Sequence, residues 1–237
     1  MKFTLCIPMY NESRIIAHTA KTLSEYMSGR FDDYEIIFSD DGSTDGSADI
    51  VSALGLPCVR VIGYPDNRGK GSAVREAMLA SEGDMVMFTD SDLAYGTDVI
   101  GQVADAFDAH PECGVVVGSR NVAKDGYDGY TFVRKIASKA YIALLKTVGG
   151  LKISDSQCGC KAFRGDVAKR VFSHCEVNRF AFDFEAILIA EKCGYKICEI
   201  PVRVINHGDS KVNVARDSLK MLRDIMKMKK RISKLDV

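Results

Sequence analysis

Asp90 and Asp92 flank a single residue, Ser91, at the end of a strand-like run from Asp84 to Thr89. In an extended chain residues i and i+2 point the same way, so both carboxylates face one point. Hard divalent cations take oxygen ligands, and Mg2+ or Mn2+ suits such a pair. A cation held there can bridge a diphosphate and stabilise it as a leaving group. Further polar clusters each follow an apolar run: Pro8, Tyr10, Asn11 and Glu12; Asp40-Asp41-Gly42-Ser43-Thr44-Asp45; Asn67-Arg68-Gly69-Lys70-Gly71; and Ser119-Arg120. Carboxylates suit ribose hydroxyls, a base N–H or a hard metal, and they do not suit bare phosphate. The first cluster lacks G-x-G-x-x-G, whose glycines let a pyrophosphate approach a helix N-terminus, and this argues against a dehydrogenase.

These clusters need elements that hold them together. Strands are expected at Phe3–Pro8, Tyr34–Ser39, Cys58–Gly63, Asp84–Thr89 and Gly114–Gly118. Helices are expected at Glu12–Met27, Asp45–Leu54 with Asp45 as N-cap, Gly71–Ser81 and Asp98–His110. The strands are nearly continuous apolar runs, the pattern of a parallel sheet covered on both faces. The alternation predicts a doubly wound, mostly parallel α/β sheet, in which ligands bind at the carboxyl ends of the strands. All the polar clusters fall at those ends. The second half is less regular: a helix over Phe132–Val148, a strand over Gly159–Phe163, a helix over Asp183–Cys193, a strand over Lys196–Ile205 and a final helix over Val214–Lys234.

The composition of the 237 residues is that of a soluble globular chain, 46% hydrophobic and 27% charged. Lys+Arg and Asp+Glu are equal at 32 each, so net charge points to no partner and gives no sign of nucleic acid. The eight cysteines contain no C-x-x-C pair, and free thiols in a cytoplasmic protein are the expectation. Cys6, Cys58, Cys113, Cys193 and Cys198 sit in apolar runs and read as small hydrophobes. The most apolar long stretch, Tyr130–Gly150, carries Arg134, Lys135, Lys139 and Lys146, which argues against a membrane span. In the final helix, Leu219, Leu222, Ile225, Met226 and Ile232 form an apolar stripe opposite Lys220, Arg223, Lys227, Lys230 and Lys234. Such a helix is read as peripheral contact with a membrane surface, with a solvated face or a homo-oligomer contact as alternatives.

Alone, each cluster has an ordinary explanation: D-x-D as a solvated loop or helix cap, Asp40-Asp41-Gly42-Ser43 as a tight turn. As an ordered set, P-M-Y-N-E, D-D-G-S-T-D, N-R-G-K-G, D-S-D and G-S-R over residues 3–120 resemble the family 2 inverting glycosyltransferases, whose nucleotide-binding half is called the GT-A fold. The resemblance implies that Pro8, Tyr10, Glu12 and Asp41 hold the base and ribose of a nucleotide-diphosphate sugar. It places Lys70 and Asp90 on the nucleotide-sugar side and Asp90 and Asp92 at the metal and diphosphate. Further on, Asp155-Ser156-Gln157-Cys158-Gly159-Cys160-Lys161 resembles the D-T-Q-C-G-F-K stretch of dolichyl-phosphate β-glucosyltransferases, and Phe182-Asp183-Phe184-Glu185 resembles their F-D-V-E. Ser210-Lys211-Val212 stands where they carry G-S-K. Ala94 stands where polyprenyl-phosphate mannosyltransferases often have glutamine, which favours the glucosyl side.

The resulting expectation is a GT-A domain over 1–212, with a nucleotide-sugar half at 1–120 and an acceptor half at 121–212, and a basic amphipathic helix over 213–237. It would be a metal-dependent inverting hexosyltransferase passing glucose from UDP-glucose to a polyprenyl phosphate at the cytoplasmic membrane face. Asp92, Asp183 and Arg120 are the catalytic candidates, and Arg134, Arg203 and Lys211 the candidates for the acceptor phosphate. Arg120 and Arg134 each have a plain surface reading. Arg203, in a strand-like run, is expected to pair with a carboxylate or an anion. Asp183 reads either as a helix N-cap or as a site carboxylate. The rival functions are sugar transfer to a carbohydrate hydroxyl, with Asp183 as base, and a sugar-nucleotide-binding protein without turnover.

Overall fold

A computed structural model describes residues 1–124, 126, 150, 152–179, 181–205 and 225–236. The helix expected over Phe132–Val148, Arg134 within it, Lys211 and the start of the final helix lie outside these residues. The strands are β1 (Phe3–Met9), β2 (Tyr34–Asp40), β3 (Val59–Gly63), β4 (Met85–Phe88), β5 (Cys113–Ser119), β6 (Lys161–Arg164) and β7 (Lys196–Pro201). The helices are α1 (Ile16–Arg30), α2 (Ser47–Ala53), α3 (Lys70–Ala80), α4 (Asp98–Ala109), α5 (Gly165–Phe172) and α6 (Phe182–Lys192); residues 225–232 form α7. The strands make one seven-stranded sheet in the order β3-β2-β1-β4-β6-β5-β7. Neighbours pair in parallel except at β6, which runs antiparallel to both β4 and β5.

Successive side chains on a strand point to opposite faces, and here both faces are apolar because both are covered. Leu5, Ile7, Ile36, Phe38, Met85 and Met87 pack with Ile16, Leu23 and Met27 of α1 and Ile100, Val103 and Phe107 of α4. On the other face Cys6, Ile37, Val86, Phe88 and Phe163 pack with α3, α5, α6 and α7 through Val74, Met78, Val171, Phe172, Ile187, Ile225 and Ile232. The double winding forces each parallel strand to end at the same edge.

Some elements depart from expectation. Helix α1 begins at Ile16, after a turn in which the Glu12 carbonyl accepts the Ile15 and Ile16 N–H groups at 3.0 and 2.9 Å. Helix α2 begins at Ser47 with Gly46 as N-cap at φ 82°. Asp45 acts from one residue further out, its Oδ1 accepting the Ser47 N–H at 3.1 Å and its Oδ2 the Ser13 N–H at 2.9 Å. Helix α5 was not expected at all. Strand β7 stops at Pro201, and beyond it Val202 and Val204 are buried while Arg203 is exposed. Arg203 therefore does not sit in an enclosed strand. Cys113 and Cys198 are disulfide-bonded between the neighbouring strands β5 and β7, with Cα atoms 6.0 Å apart, and are not free thiols. Cys58 is exposed, not packed.

Of the stripe expected on the final helix, Leu219 and Leu222 lie outside the described residues and Met226 is exposed. Ile225 and Ile232, with 0% and 5% exposure, lie in the protein core, so they do not face a bilayer. The helix is fastened by Arg231, whose Nη1 donates to the His174 carbonyl at 3.0 Å and pairs with Glu176 at 3.0 Å, and whose Nη2 pairs with the fully buried Glu185 carboxylate. Glu185 also accepts the Glu176 and Val177 N–H groups at 2.9 and 2.8 Å. Removing the arginine leaves a buried carboxylate with its charge uncompensated. Arg231→Ala should cost about 2 kcal/mol, less than for a fully buried pair because Arg231 keeps some solvent and Glu185 keeps its backbone donors. The check is the urea midpoint at constant slope; an unchanged midpoint would show that the clamp contributes nothing.

Candidate active site

The loops after β1 and β2 are stitched together by their own polar atoms. Asn11, at φ 53°, donates its N–H to Ser43 Oγ and accepts the Thr44 N–H on its side chain, both at 2.9 Å. Asp40 binds the Ser43 hydroxyl. Asp41 faces the loop after β3: its carboxylate accepts Tyr64 Oη at 2.7 Å and Asn67 Nδ2, Arg68 N–H and Gly69 N–H at 2.9 Å. With 3% exposure, this carboxylate organises the N-R-G-K-G loop. Gly42 makes that possible, because at φ 75° a Cβ there would lie 2.7 Å from the Asp66 carbonyl carbon. Pro8 is buried, Glu12 half-buried, and Tyr10 exposes its ring at the rim of the same edge.

The N-R-G-K-G loop delivers Lys70 to the end of β4. Gly69 and Gly71 pack so closely on residues 177–182 that a Cβ at Gly71 would lie 2.5 Å from the Val177 carbonyl oxygen and 2.6 Å from Phe182 Cβ. Lys70, between them, forms an ion pair with Asp90. Asp92 Oδ1 accepts the Ala94 N–H at 3.0 Å. Burial raises the Asp92 carboxyl above the ordinary range, and the adjacent Asp90 charge raises it further. The D-S-D loop is held from two sides, by Thr19 Oγ1 donating to the Ser91 carbonyl at 2.7 Å and by Tyr95 Oη accepting the Gly159 N–H at 3.2 Å.

Because β6 is antiparallel, its amino end lies at this same edge, with Lys161 opposite Phe88. The Cys158-Gly159-Cys160 turn therefore rests on the D-S-D loop, and a Cβ on Gly159 would collide with Asp90 Oδ2. Lys161 is completely buried and donates to the Cys158 carbonyl at 2.5 Å and to Asp183 Oδ1 at 2.8 Å. Burial raises Asp183 despite the lowering by Lys161 and Lys70. Asp183 lies in the first turn of α6 and is 7% exposed. Just past β5, Arg120 Nε and Nη2 grip Asp155 at 2.7 and 2.9 Å. Burial alone would raise Asp155, but the guanidinium overrides it and holds the carboxyl below its ordinary range. Burial pushes the Cys158 thiol up to about 11, the state of a structural thiol and not of a nucleophile.

Lys70 pairs with Asp90 and lies within electrostatic reach of Asp92 and Asp183, while Arg120, just past β5, is held on Asp155. Tyr10, Glu12 and Pro8 lie along the same strand-end edge. Arg203 is on the exposed side of the segment after β7. Lys161, Asp155, Gly159 and Tyr95 carry much of the site's geometry and had been given no role from the sequence. A lysine heading the apolar run Lys161-Ala162-Phe163 was the available signal, since a buried ammonium needs a carboxylate partner. Among the described residues no group of three or more His, Cys, Asp or Glu side chains clusters as a metal cage. The donor set nevertheless fits Mg2+ or Mn2+, which bind through one or two carboxylates together with water and substrate phosphates. The Lys70 ammonium on Asp90 shows that a cation is electrostatically accommodated there.

A seven-stranded, mostly parallel sheet with helices on both faces and a carboxylate pair at its carboxyl edge is the GT-A architecture. The chain overlays on glucosyl-3-phosphoglycerate synthase from Mycobacterium tuberculosis, solved with Mn2+, UDP and phosphoglyceric acid, with a TM-score of 0.69 at 18% identity over 100% of this chain and 80% of that one. Residues 4–172 match glycosyl transferase family 2, and the chain belongs to that family: it is a glycosyltransferase. It is 30% identical to a dolichyl-phosphate beta-glucosyltransferase of Trichomonas vaginalis, over 95% of this chain and 70% of that protein. It is likewise 30% identical to the dolichyl-phosphate beta-glucosyltransferase of Dictyostelium discoideum, over 95% of this chain and 73% of that protein.

The site yields an activity and a stability expectation. Asp92→Asn should lower turnover about a hundredfold or more, the equivalent of about 3 kcal/mol of transition-state stabilisation, with an unchanged circular dichroism spectrum; near-normal turnover would remove Asp92 from the chemistry. The depressed Asp155 carboxyl contributes stability that is present above the unfolded pKa of about 3.9 and lost as pH falls through the lower folded value. The stability gap between the wild type and Asp155→Asn, read by urea titration, should therefore be widest near neutrality and shrink below about pH 4. A gap independent of pH would contradict the Arg120–Asp155 assignment.

Proposed function

We propose that the chain transfers glucose from UDP-glucose to a polyprenyl phosphate, with inversion at the sugar carbon and with Mg2+ or Mn2+ held by Asp90 and Asp92. The observation that carries this reading is the identity to dolichyl-phosphate beta-glucosyltransferases over 95% of the chain, through both the nucleotide side and the D-S-Q-C-G-C-K and F-D-F-E segments. The bound metal would offset charge on the departing diphosphate. Tyr10, Pro8, Glu12 and the loop organised by Asp41 would receive the nucleoside, and Lys70 the diphosphate.

The Lys161–Asp183 pair bears on the acceptor. A phosphate monoester has a second pKa of about 6 and is largely dianionic at neutral pH, so it attacks without losing a proton. Asp183, with one oxygen committed to a buried ammonium, would orient the acceptor, while Arg120, Arg134, Arg203 and Lys211 would offset phosphate charge. The raised Asp183 carboxyl favours a second reading, a carbohydrate hydroxyl acceptor with Asp183 as general base. Membrane contact is proposed through the exposed Lys227, Lys229, Lys230 and Lys234 of the terminal segment, an electrostatic attachment and not an insertion. No helix among the described residues is long and apolar enough to cross a membrane.

Transfer from UDP-[14C]glucose to short-chain polyprenyl phosphate and to oligosaccharides separates the readings. Label should pass into the organic-extractable lipid, stop on EDTA treatment and return with Mn2+ or Mg2+. Label appearing only on carbohydrate hydroxyls would overturn the lipid-phosphate acceptor, and full activity in EDTA would overturn the metal.

A further inference from the structure

Lys70 is a cation held against Asp90, one of the two proposed metal carboxylates. Its backbone has little freedom, because Gly69 (φ 110°) and Gly71 are pressed against residues 177–182 and Asp41 grips the Arg68 and Gly69 N–H groups at 2.9 Å. The side chain bridges from the first turn of α3 to Asp90. Lys70 and Asp90 are each about one-third exposed, at 29% and 30%, so the pair is open to an incoming ligand on one side. On the other side the Gly159 backbone abuts Asp90 Oδ2. An ammonium and a divalent cation cannot both lie against this carboxylate without mutual repulsion.

We propose that Lys70 is an internal counter-cation that occupies Asp90 in the ligand-free protein and is exchanged for the divalent metal, swinging to the donor's diphosphate when metal and nucleotide enter together. This rests on the metal reading of Asp90 and Asp92. The exchange conserves charge pairing: the metal takes the carboxylate from Lys70, and the diphosphate supplies Lys70 with a new anion. Metal alone must displace an ion pair without replacing it, and nucleotide alone must draw Lys70 away from Asp90 and leave that carboxylate uncompensated. Each ligand therefore removes the penalty of the other. By linkage the same factor by which UDP tightens Mn2+ must appear in the effect of Mn2+ on UDP.

Isothermal titration of Mn2+ into the wild type, Lys70→Met and Lys70→Arg, with and without saturating UDP, tests this. Lys70→Met should bind Mn2+ without UDP about tenfold more tightly than the wild type, a change of about 1.4 kcal/mol. The ratio of its affinities with and without UDP should fall at least about fivefold, a change near 1 kcal/mol in the coupling. Lys70→Arg, which keeps a cation able to reach Asp90, should retain the wild-type weakness toward metal alone. Circular dichroism of each variant establishes that the comparison is between folded proteins. Equal or weaker Mn2+ binding by folded Lys70→Met in the absence of UDP overturns the exchange while leaving the metal site standing. A wild type that binds no Mn2+ at any UDP concentration removes the metal reading and the exchange together.

Discussion

Strand β6 runs against both of its neighbours, and the site depends on that reversal. Every parallel strand of the sheet ends at the edge where Asp90, Asp41 and Arg120 lie. A further parallel strand between β4 and β5 would begin at the opposite edge and leave its preceding loop far from the carboxylates. The antiparallel pairing of Lys161 with Phe88 and with Val117 instead sets residues 155–160 at that edge. The contact is tight enough to require glycine at 159, because the Asp90 carboxylate occupies the place of a Cβ. Asp90 and Gly159, from the two halves of the chain, thereby meet on one surface, with the strand register fixed by the burial of both sheet faces.

That surface is dense in charge, and its charges are compensated internally. Asp90 faces Lys70, Asp183 faces Lys161, and Asp155 faces Arg120. Burying an ion costs several kcal/mol unless a partner and further hydrogen bonds recover it. The most enclosed members show the consequence. Lys161, without solvent, has a carbonyl as well as a carboxylate, and Asp155 takes two guanidinium nitrogens together with backbone N–H groups from Arg120 and Gln157. The more open Lys70–Asp90 pair has less to lose, and it lies where substrate charges would enter. Exposure thus grades from permanent anchors, deep in the edge, to an exchangeable pair at its mouth.

Much of this was legible in the sequence. Continuous apolar strands between helical stretches announced a doubly wound sheet, and polar residues at each strand end announced the edge. What stayed hidden depends on pairing between distant segments. The direction of β6 is not encoded in Lys161-Ala162-Phe163-Arg164, which reads equally well either way. Helix α5 has its pattern in Val167, Ala168, Val171 and Phe172, yet eight residues make too short a stretch to stand out by periodicity. The Cys113–Cys198 bridge joins residues 85 apart that only the β5–β7 pairing makes adjacent. The resemblance puts Asp41 at the base and ribose; that its carboxylate also gathers four donors from residues 64–69 depends on a contact between two loops that no local pattern announces. The exposure of Arg203 depends on where β7 stops, which the run Val202–Ile205 does not mark.

The F-D-F-E segment shows how packing reaches the chemistry. At about 100° per residue, side chains two apart on a helix point to nearly opposite sides, so Asp183 and Glu185 of α6 diverge. Asp183 turns toward Lys161 and the sheet edge, and Glu185 toward residues 176–177 and Arg231 of α7. Phe182 and Phe184 fill the core around them, with 2% and 0% exposure. The first turn of α6 is therefore held by an ion pair on each side and by aromatic packing, and it cannot shift without breaking one of them. The segment just before it presses on Gly69 and Gly71, which flank Lys70. One short stretch thus positions Asp183 directly and Lys70 by contact, and helix α7, through Arg231, braces both. A helix that appears peripheral to the site is in this way part of what keeps Asp183 and Lys70 at their separation.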